Sequence, residues 1–108
     1  MRDLLLKIKE EYNSKLLDEV IDIVLDEAED NDESVKEYLE DVLAYGCQSG
    51  FVRRLIYYKD TRAFFARHFE EIFDIINDND IKVEELNANE LAWLGFEYMA
   101  QEIYAILV

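Results

Sequence analysis

The segment from Asp18 to Asp41 combines dense negative charge with a regular pattern of apolar residues. Twelve of its 24 residues are acidic and Lys36 is its only basic residue, so twelve negative charges against one positive charge leave −11. Charged segments stay unfolded when their hydrophobicity is low, but leucine, isoleucine and valine recur throughout this one. We therefore expect amphipathic helices here, with the carboxylates held on a folded surface.

The remainder of the chain also favours helices. It contains no proline and only three glycines, whereas an all-β protein needs many turn residues between its strands. Apolar residues recur at helical spacing along most of its length. With 108 residues, 51% of them hydrophobic, the chain can bury a core of its own. We predict a single acidic helical domain over residues 1–108, folded as an all-α bundle of four or five helices.

The apolar periodicity gives approximate bounds for these helices and a candidate core. A break is expected in the first helix near the polar pair Asn13-Ser14. The expected main helices run over about residues 2–28, over 34–45, from Asp60 or Thr61 to Asn77, and from Asn87 to Leu107. The predicted core consists of Leu39, Val42, Leu55, Phe65, Phe69, Ile72, Trp93, Phe96 and Ile103.

Short polar motifs predict the ends of two helices. Ser34 with Glu37, and Asn87 with Glu90, have the spacing of capping boxes, in which each side chain satisfies a backbone N–H of the first turn. Gly46 is expected to take a left-handed conformation and to close the helix that precedes it.

Overall charge limits the partners of the protein. The formal net charge is −15 and the isoelectric point is near 4.2. Phosphate binding depends on lysine and arginine, so direct binding to nucleic acid or to an anionic membrane is disfavoured. A fixed negative surface instead favours a positively charged partner, and nucleic-acid-binding proteins are the commonest of these.

Cysteine usage and the hydropathy pattern suggest a compartment. The single cysteine, Cys47, cannot form an internal disulfide, which fits a reducing environment. No secretory signal pattern opens the chain, and no run approaches the roughly 18 apolar residues of a membrane span. We therefore expect a soluble protein of the bacterial cytoplasm.

The chain has one histidine and one cysteine, and neither is well placed for enzyme chemistry. The sole histidine, His68, lies among phenylalanines, which favours a packed structural role over a general base. Cys47 lacks the nearby base that activates a nucleophilic thiol. Residues 30–41 loosely follow a calcium-binding loop, but Val35 stands where that loop needs glycine. We expect no enzymatic activity, no cofactor and no metal.

Three short motifs resemble those of a known family: Gly46–Gly50 (GCQSG), Leu55–Thr61 (LIYYKDT) and Leu91–Glu97 (LAWLGFE). That family consists of small acidic proteins from phages and mobile elements of Gram-positive bacteria and is classed as a domain of unknown function. The similar stretch covers about residues 35–107. Phe51 stands where the family has methionine, and Leu94 where it usually has phenylalanine. The resemblance implies a mobile-element origin and an α-helical domain, without an assigned activity.

The acidic segment is the candidate functional surface. As helix it would span about 36 Å with one carboxylate per roughly 3 Å, against one charge per about 1.7 Å of duplex DNA. Lysines that could balance these charges by i,i+4 pairing are missing except for Lys36. We hypothesise an anti-CRISPR or anti-restriction inhibitor that mimics DNA and binds a basic nucleic-acid-binding protein of the host, such as a Cas effector or a restriction enzyme. Its partner-binding face would consist of Asp18, Asp22, Asp26, Glu29, Glu33, Glu37 and Glu40.

Two alternatives stay open. The acids can serve solubility alone, in a small structural or regulatory protein that assembles with itself or binds another phage protein. The strip Arg53–Arg67, with five basic residues and one acid, can neutralise carboxylates within the fold or form a homodimer contact. Arg53, Arg54 and Tyr57 in this strip form a second candidate patch, because arginine and tyrosine are frequent interface anchors.

Overall fold

The computed structural model describes residues 2–28, 32–45, 61–82 and 88–107. These ranges contain five α-helices and no strand, which confirms the all-α prediction. The helices are α1 (Arg2–Glu11), α2 (Lys15–Glu27), α3 (Asp32–Tyr45), α4 (Thr61–Asp78) and α5 (Ala88–Leu107).

The predicted break in the first helix separates α1 from α2. Ser14 is the N-cap of α2: its backbone is extended, and its Oγ accepts a hydrogen bond from the Leu17 N–H at 3.0 Å. A serine in this position satisfies one of the free N–H groups that every helix leaves in its first turn. The polar pair therefore ends one helix and starts the next.

The predicted capping box at Ser34 is wrong. Helix α3 begins at Asp32, two residues earlier, so Ser34 lies inside the helix. Asp32 and Glu33 occupy the first turn, where the helix dipole favours negative charge, and this local preference extends the helix toward its N-terminus. Helix α5 begins at Ala88, which agrees with the second predicted box. Asn87 itself, Gly46 and the short Gly46–Gly50 segment lie outside the described residues.

Helix α5 packs against α2, α3 and α4 and carries much of the core. Phe96 and Ile103 are fully buried along its length. The glycine at position 95 allows a close approach, because a Cβ there would lie 2.7 Å from Cγ1 of Ile72 on α4 and 3.6 Å from Leu16 on α2. The first two helices complete the core with Leu5, Ile8, Leu16, Val20, Ile21 and Val24.

Most of the predicted core is confirmed. Leu39, Val42, Ile72, Phe96 and Ile103 are fully buried. Phe65 and Trp93 are partly buried against the same cluster, and Leu55 lies outside the described residues.

The prediction for Phe69 is wrong, since its side chain is 48% exposed. Helix α4 buries a narrow line through Phe64, His68, Ile72 and Ile76, and Phe69 is about 100° away from His68 around the helix.

Candidate functional site

Three of the candidate acids lie along one line of α2. Asp18, Asp22 and Asp26 follow one another at i,i+4 spacing, which places their side chains on the same face. Asp22 and Asp26 are exposed. Asp18 is half-buried, and its Oδ1 is buried without a hydrogen-bond partner. Asp22 and Asp26 are therefore better placed than Asp18 to meet another molecule.

Asp22 also forms an ion pair with α1. Its Oδ1 accepts a hydrogen bond from Nζ of Lys9 at 2.7 Å, and the Asp22 side chain remains 60% exposed. Exposed ion pairs of this kind contribute little to stability, because water and salt screen them. The pair shows that the line of aspartates on α2 lies beside α1.

Helix α3 carries a second line of acids. Glu33, Glu37 and Glu40 are all exposed, and Lys36 is exposed beside them. Oε1 of Glu40 accepts a hydrogen bond from the Tyr104 hydroxyl on α5 at 3.1 Å. This hydrogen bond raises the pKa of the Tyr104 phenol above its ordinary value. The α3 line therefore borders α5, whereas the α2 line borders α1, and Glu29 lies outside the described residues.

Asp26 is the last described acid of the α2 line, and Glu33 is the first acid of the α3 line. Asp26 lies in the last turn of α2 and Glu33 in the first turn of α3. Neither helix has a basic residue in its last turn, although the negative end of the helix dipole favours one there. Asp26, Glu33 and Glu37 form no ion pair with the described residues. Their negative field is therefore directed at the solvent.

Another member of the acidic segment, the half-buried Glu19, points toward α4. Glu19 of α2 accepts a hydrogen bond at Oε1 from Arg67 Nη2 at 2.6 Å, and its Oε2 meets Nε2 of His68. The His68 ring is buried and stands edge-on to Phe64, with 5.0 Å between ring centroids. Arg67 is the last basic residue of the strip Arg53–Arg67. Its pairing with Glu19 agrees with the interpretation that this strip neutralises carboxylates within the fold.

The contacts of Glu19 bear on the role of His68. The imidazole joins α4 to α2, while its Nδ1 is buried without a hydrogen-bond partner. This arrangement supports the structural role that the sequence favours for the sole histidine. The only sequence signal for the contact is that Glu19 interrupts an apolar face. The second candidate patch, formed by Arg53, Arg54 and Tyr57, lies outside the described residues.

A shallow cleft of about 320 Å³ opens beside these contacts. Two acids and two bases contribute to its wall, so its net charge is close to zero. The lining residues are Asn13, Lys15, Arg67, His68, Phe69, Glu70 and Glu71. Across the parts of the chain that the structure describes, no group of three or more His, Cys, Asp or Glu residues could hold a metal ion. None of the described helices is long and apolar enough to cross a membrane.

Comparison with known proteins identifies a family without an assigned activity. The profile of a domain of unknown function, DUF7222, matches residues 7–108, and the chain therefore belongs to this family. The match includes α2 and the second half of α1, which the resemblance over residues 35–107 leaves out. No curated protein and no solved structure matches the chain.

Proposed function

We propose that this protein is a non-enzymatic inhibitor, carried by a phage or another mobile element, of a bacterial defence nuclease of the Cas or restriction type. In this proposal the acids of α2 and α3 occupy the surface on which the nuclease binds nucleic acid. The observation that carries the proposal is the outward field of Asp26, Glu33 and Glu37, which form no ion pair with the described residues. Carboxylates left unbalanced on two successive helices cost stability through mutual repulsion, and a basic partner would relieve that repulsion.

The α2 and α3 acids do not contribute equally in this proposal. Asp22 and Glu40 already have partners, Lys9 and the Tyr104 hydroxyl. Asp18 is half-buried. The contact with the nuclease is therefore centred on Asp26, in the last turn of α2, and Glu33, in the first turn of α3. Glu37 extends it along α3.

The test compares two variants with equal loss of charge. The first replaces Asp26→Asn, Glu33→Gln and Glu37→Gln. The control replaces Glu10→Gln, Glu11→Gln and Glu102→Gln, which are exposed acids on α1 and α5. Host proteins recovered by pull-down are purified, and those that bind duplex DNA are tested for competition between the DNA and each variant.

We expect the first variant to associate more slowly with the nuclease than the control does, and to show a flatter dependence on salt. Inhibition of the nuclease should fall in parallel. Equal association rates for both variants at low and high salt would refute the proposal. That result would favour a small structural or regulatory protein whose acids serve solubility.

A further inference from the structure

Helix α4 carries a line of three phenylalanines at its solvent boundary. Phe65, Phe69 and Phe73 follow one another at i,i+4 spacing and therefore share one face over about 12 Å. Phe69 is 48% exposed and Phe73 is 39% exposed. The Phe65 and Phe73 rings meet edge to face, with 6.0 Å between their centroids. We call these three residues the phenylalanine ridge.

A line of acids runs parallel to the phenylalanine ridge. Glu70, Asp74 and Asp78 have the same i,i+4 spacing, are displaced from the ridge by one position and are all exposed. No basic residue occurs between Phe69 and Asp80 in the sequence. From Phe69 onward, the exposed face of α4 is therefore an apolar ridge with a negative flank. Arg67, one turn earlier on the same side of the helix as these acids, is paired with Glu19 of α2.

We propose that the phenylalanine ridge and its acidic flank form a docking surface for a basic amphipathic helix of a partner protein. Such a helix would place apolar side chains, spaced at i, i+3 and i+4, on the exposed rings. Its lysines or arginines would lie against Glu70, Asp74 and Asp78. The surface belongs to α4 and is separate from the acids of α2 and α3, so the inference goes beyond the proposed function.

Charge decides between this occupant and the other apolar partners. A second copy of the chain would bring another net charge of −15 and the same acidic flank, and the two copies would repel each other. An anionic membrane would be repelled by the same acids. A helix with an apolar face bordered by positive charge complements both lines of α4 at once.

The probe for the test is a synthetic leucine–lysine peptide of about 15 residues, with its leucines on one helical face. A scrambled peptide of the same composition, without an apolar face, controls for attraction by charge alone. Affinities are measured by titration calorimetry. Changes in the NMR chemical shifts of the protein's backbone amides show where the peptide binds.

Three variants separate the contributions of the rings and of the acids to peptide binding. Phe69→Ala with Phe73→Ala removes the exposed rings, and Glu70→Lys with Asp74→Lys reverses the flank while keeping the rings. Ile106→Ala is the matched control, because Ile106 is also 40% exposed but lies on α5. Circular dichroism verifies that each variant is folded, and the flank variant keeps the test valid if loss of the rings prevents folding.

We expect the amphipathic peptide to shift amides of α4, and both α4 variants to weaken its binding about tenfold or more. The Ile106→Ala control and the Asp26, Glu33 and Glu37 variant should retain affinity.

Equal binding of the scrambled peptide, or unchanged binding by both α4 variants, would overturn the inference. Loss of binding in the Asp26, Glu33 and Glu37 variant alone would place the peptide on α2 and α3. That outcome would overturn the inference while leaving the proposed function intact. A concentration-dependent dimer that disappears in the ring variant would identify a second copy as the occupant instead.

Discussion

The Ser14 hydroxyl donates a 2.5 Å hydrogen bond to Oε2 of Glu71, which lies 57 residues further along the chain. The other oxygen of this carboxylate accepts a hydrogen bond from the Leu16 N–H at 3.3 Å. A residue of α4 thus completes the N-terminal cap of α2, where the helix dipole favours negative charge. The pair ties the break between α1 and α2 to the middle of α4.

Replacing Ser14→Ala should reduce the free energy of unfolding by about 1–2 kcal/mol, because α2 loses its N-cap and Glu71 loses a donor. Urea denaturation measures the change. Ser14→Thr keeps a hydroxyl and should recover much of the loss. A change in Ser14→Ala below about 0.5 kcal/mol would mean that water replaces both hydrogen bonds.

Replacing Gly95→Ala should destabilise the protein, although alanine favours a helix over glycine by about 1 kcal/mol. The new Cβ would lie 2.7 Å from Cγ1 and 3.0 Å from Cδ1 of the fully buried Ile72. Overpacking of this kind costs about 1–3 kcal/mol, so we expect a net loss. The loss should be smaller in an Ile72→Val background, which removes Cδ1. A more stable Gly95→Ala protein would show that α5 moves away from α4 at little cost.

Replacing Glu19→Gln should reduce the free energy of unfolding by about 1–3 kcal/mol, because it removes the carboxylate that joins Arg67 and His68 to α2. The matched control is Glu11→Gln, which breaks an exposed i,i+4 pair with Lys7 whose atoms lie 4.0 Å apart. Such a pair contributes only about 0.3–0.5 kcal/mol. Equal effects of the two substitutions in denaturant would contradict a specific role for Glu19.

Tyr38 should make the protein less stable at alkaline pH. Burial, and then the negative charge of Glu27, raise the pKa of its phenol above the ordinary value of about 10. Above about pH 10 the folded state therefore holds a proton that the unfolded chain releases. The contribution of the Tyr38 phenol to the free energy of unfolding is full below about pH 10 and is lost as the pH rises further. Between pH 9 and 11, Tyr38→Phe should lose less stability than the unsubstituted protein. Tyr12→Phe, at a half-exposed position, is the control, and parallel declines in all three proteins would refute the assignment.

Two phenylalanine substitutions should differ because their burial differs. Phe96→Ala should cost about 3–5 kcal/mol, since Phe96 is fully enclosed, whereas Phe69→Ala should cost about 1 kcal/mol or less. Thermal and urea denaturation of both variants give the comparison. A loss above about 3 kcal/mol for Phe69→Ala would mean that this ring is enclosed in solution.

The helices themselves were predictable from the sequence, because helix formation depends on residues within a few positions of each other. The i,i+3 and i,i+4 apolar spacing gave the all-α class, and the polar Asn13-Ser14 pair gave the break before α2. The end of α4 near Asn77 and the extent of α5 were also correct within a residue or two. The predicted start of α3 at Ser34 was wrong, since Asp32 and Glu33 also favour the first turn of a helix and compete locally with the capping motif.

The sequence alone determined that the chain is acidic and helical, and that its acids cluster in one segment. Only the tertiary structure decided which of those acids face the solvent. Glu19 turns inward to Arg67 and His68, while Asp26 and Glu33 face outward. Likewise, α4 could bury Phe69 or expose it, and the packing of α5 through Gly95 selects the rotation of α4 that buries Ile72. These outcomes depend on contacts between helices far apart in the chain, and the periodicity of a single helix carries no information about which distant residue will lie against it.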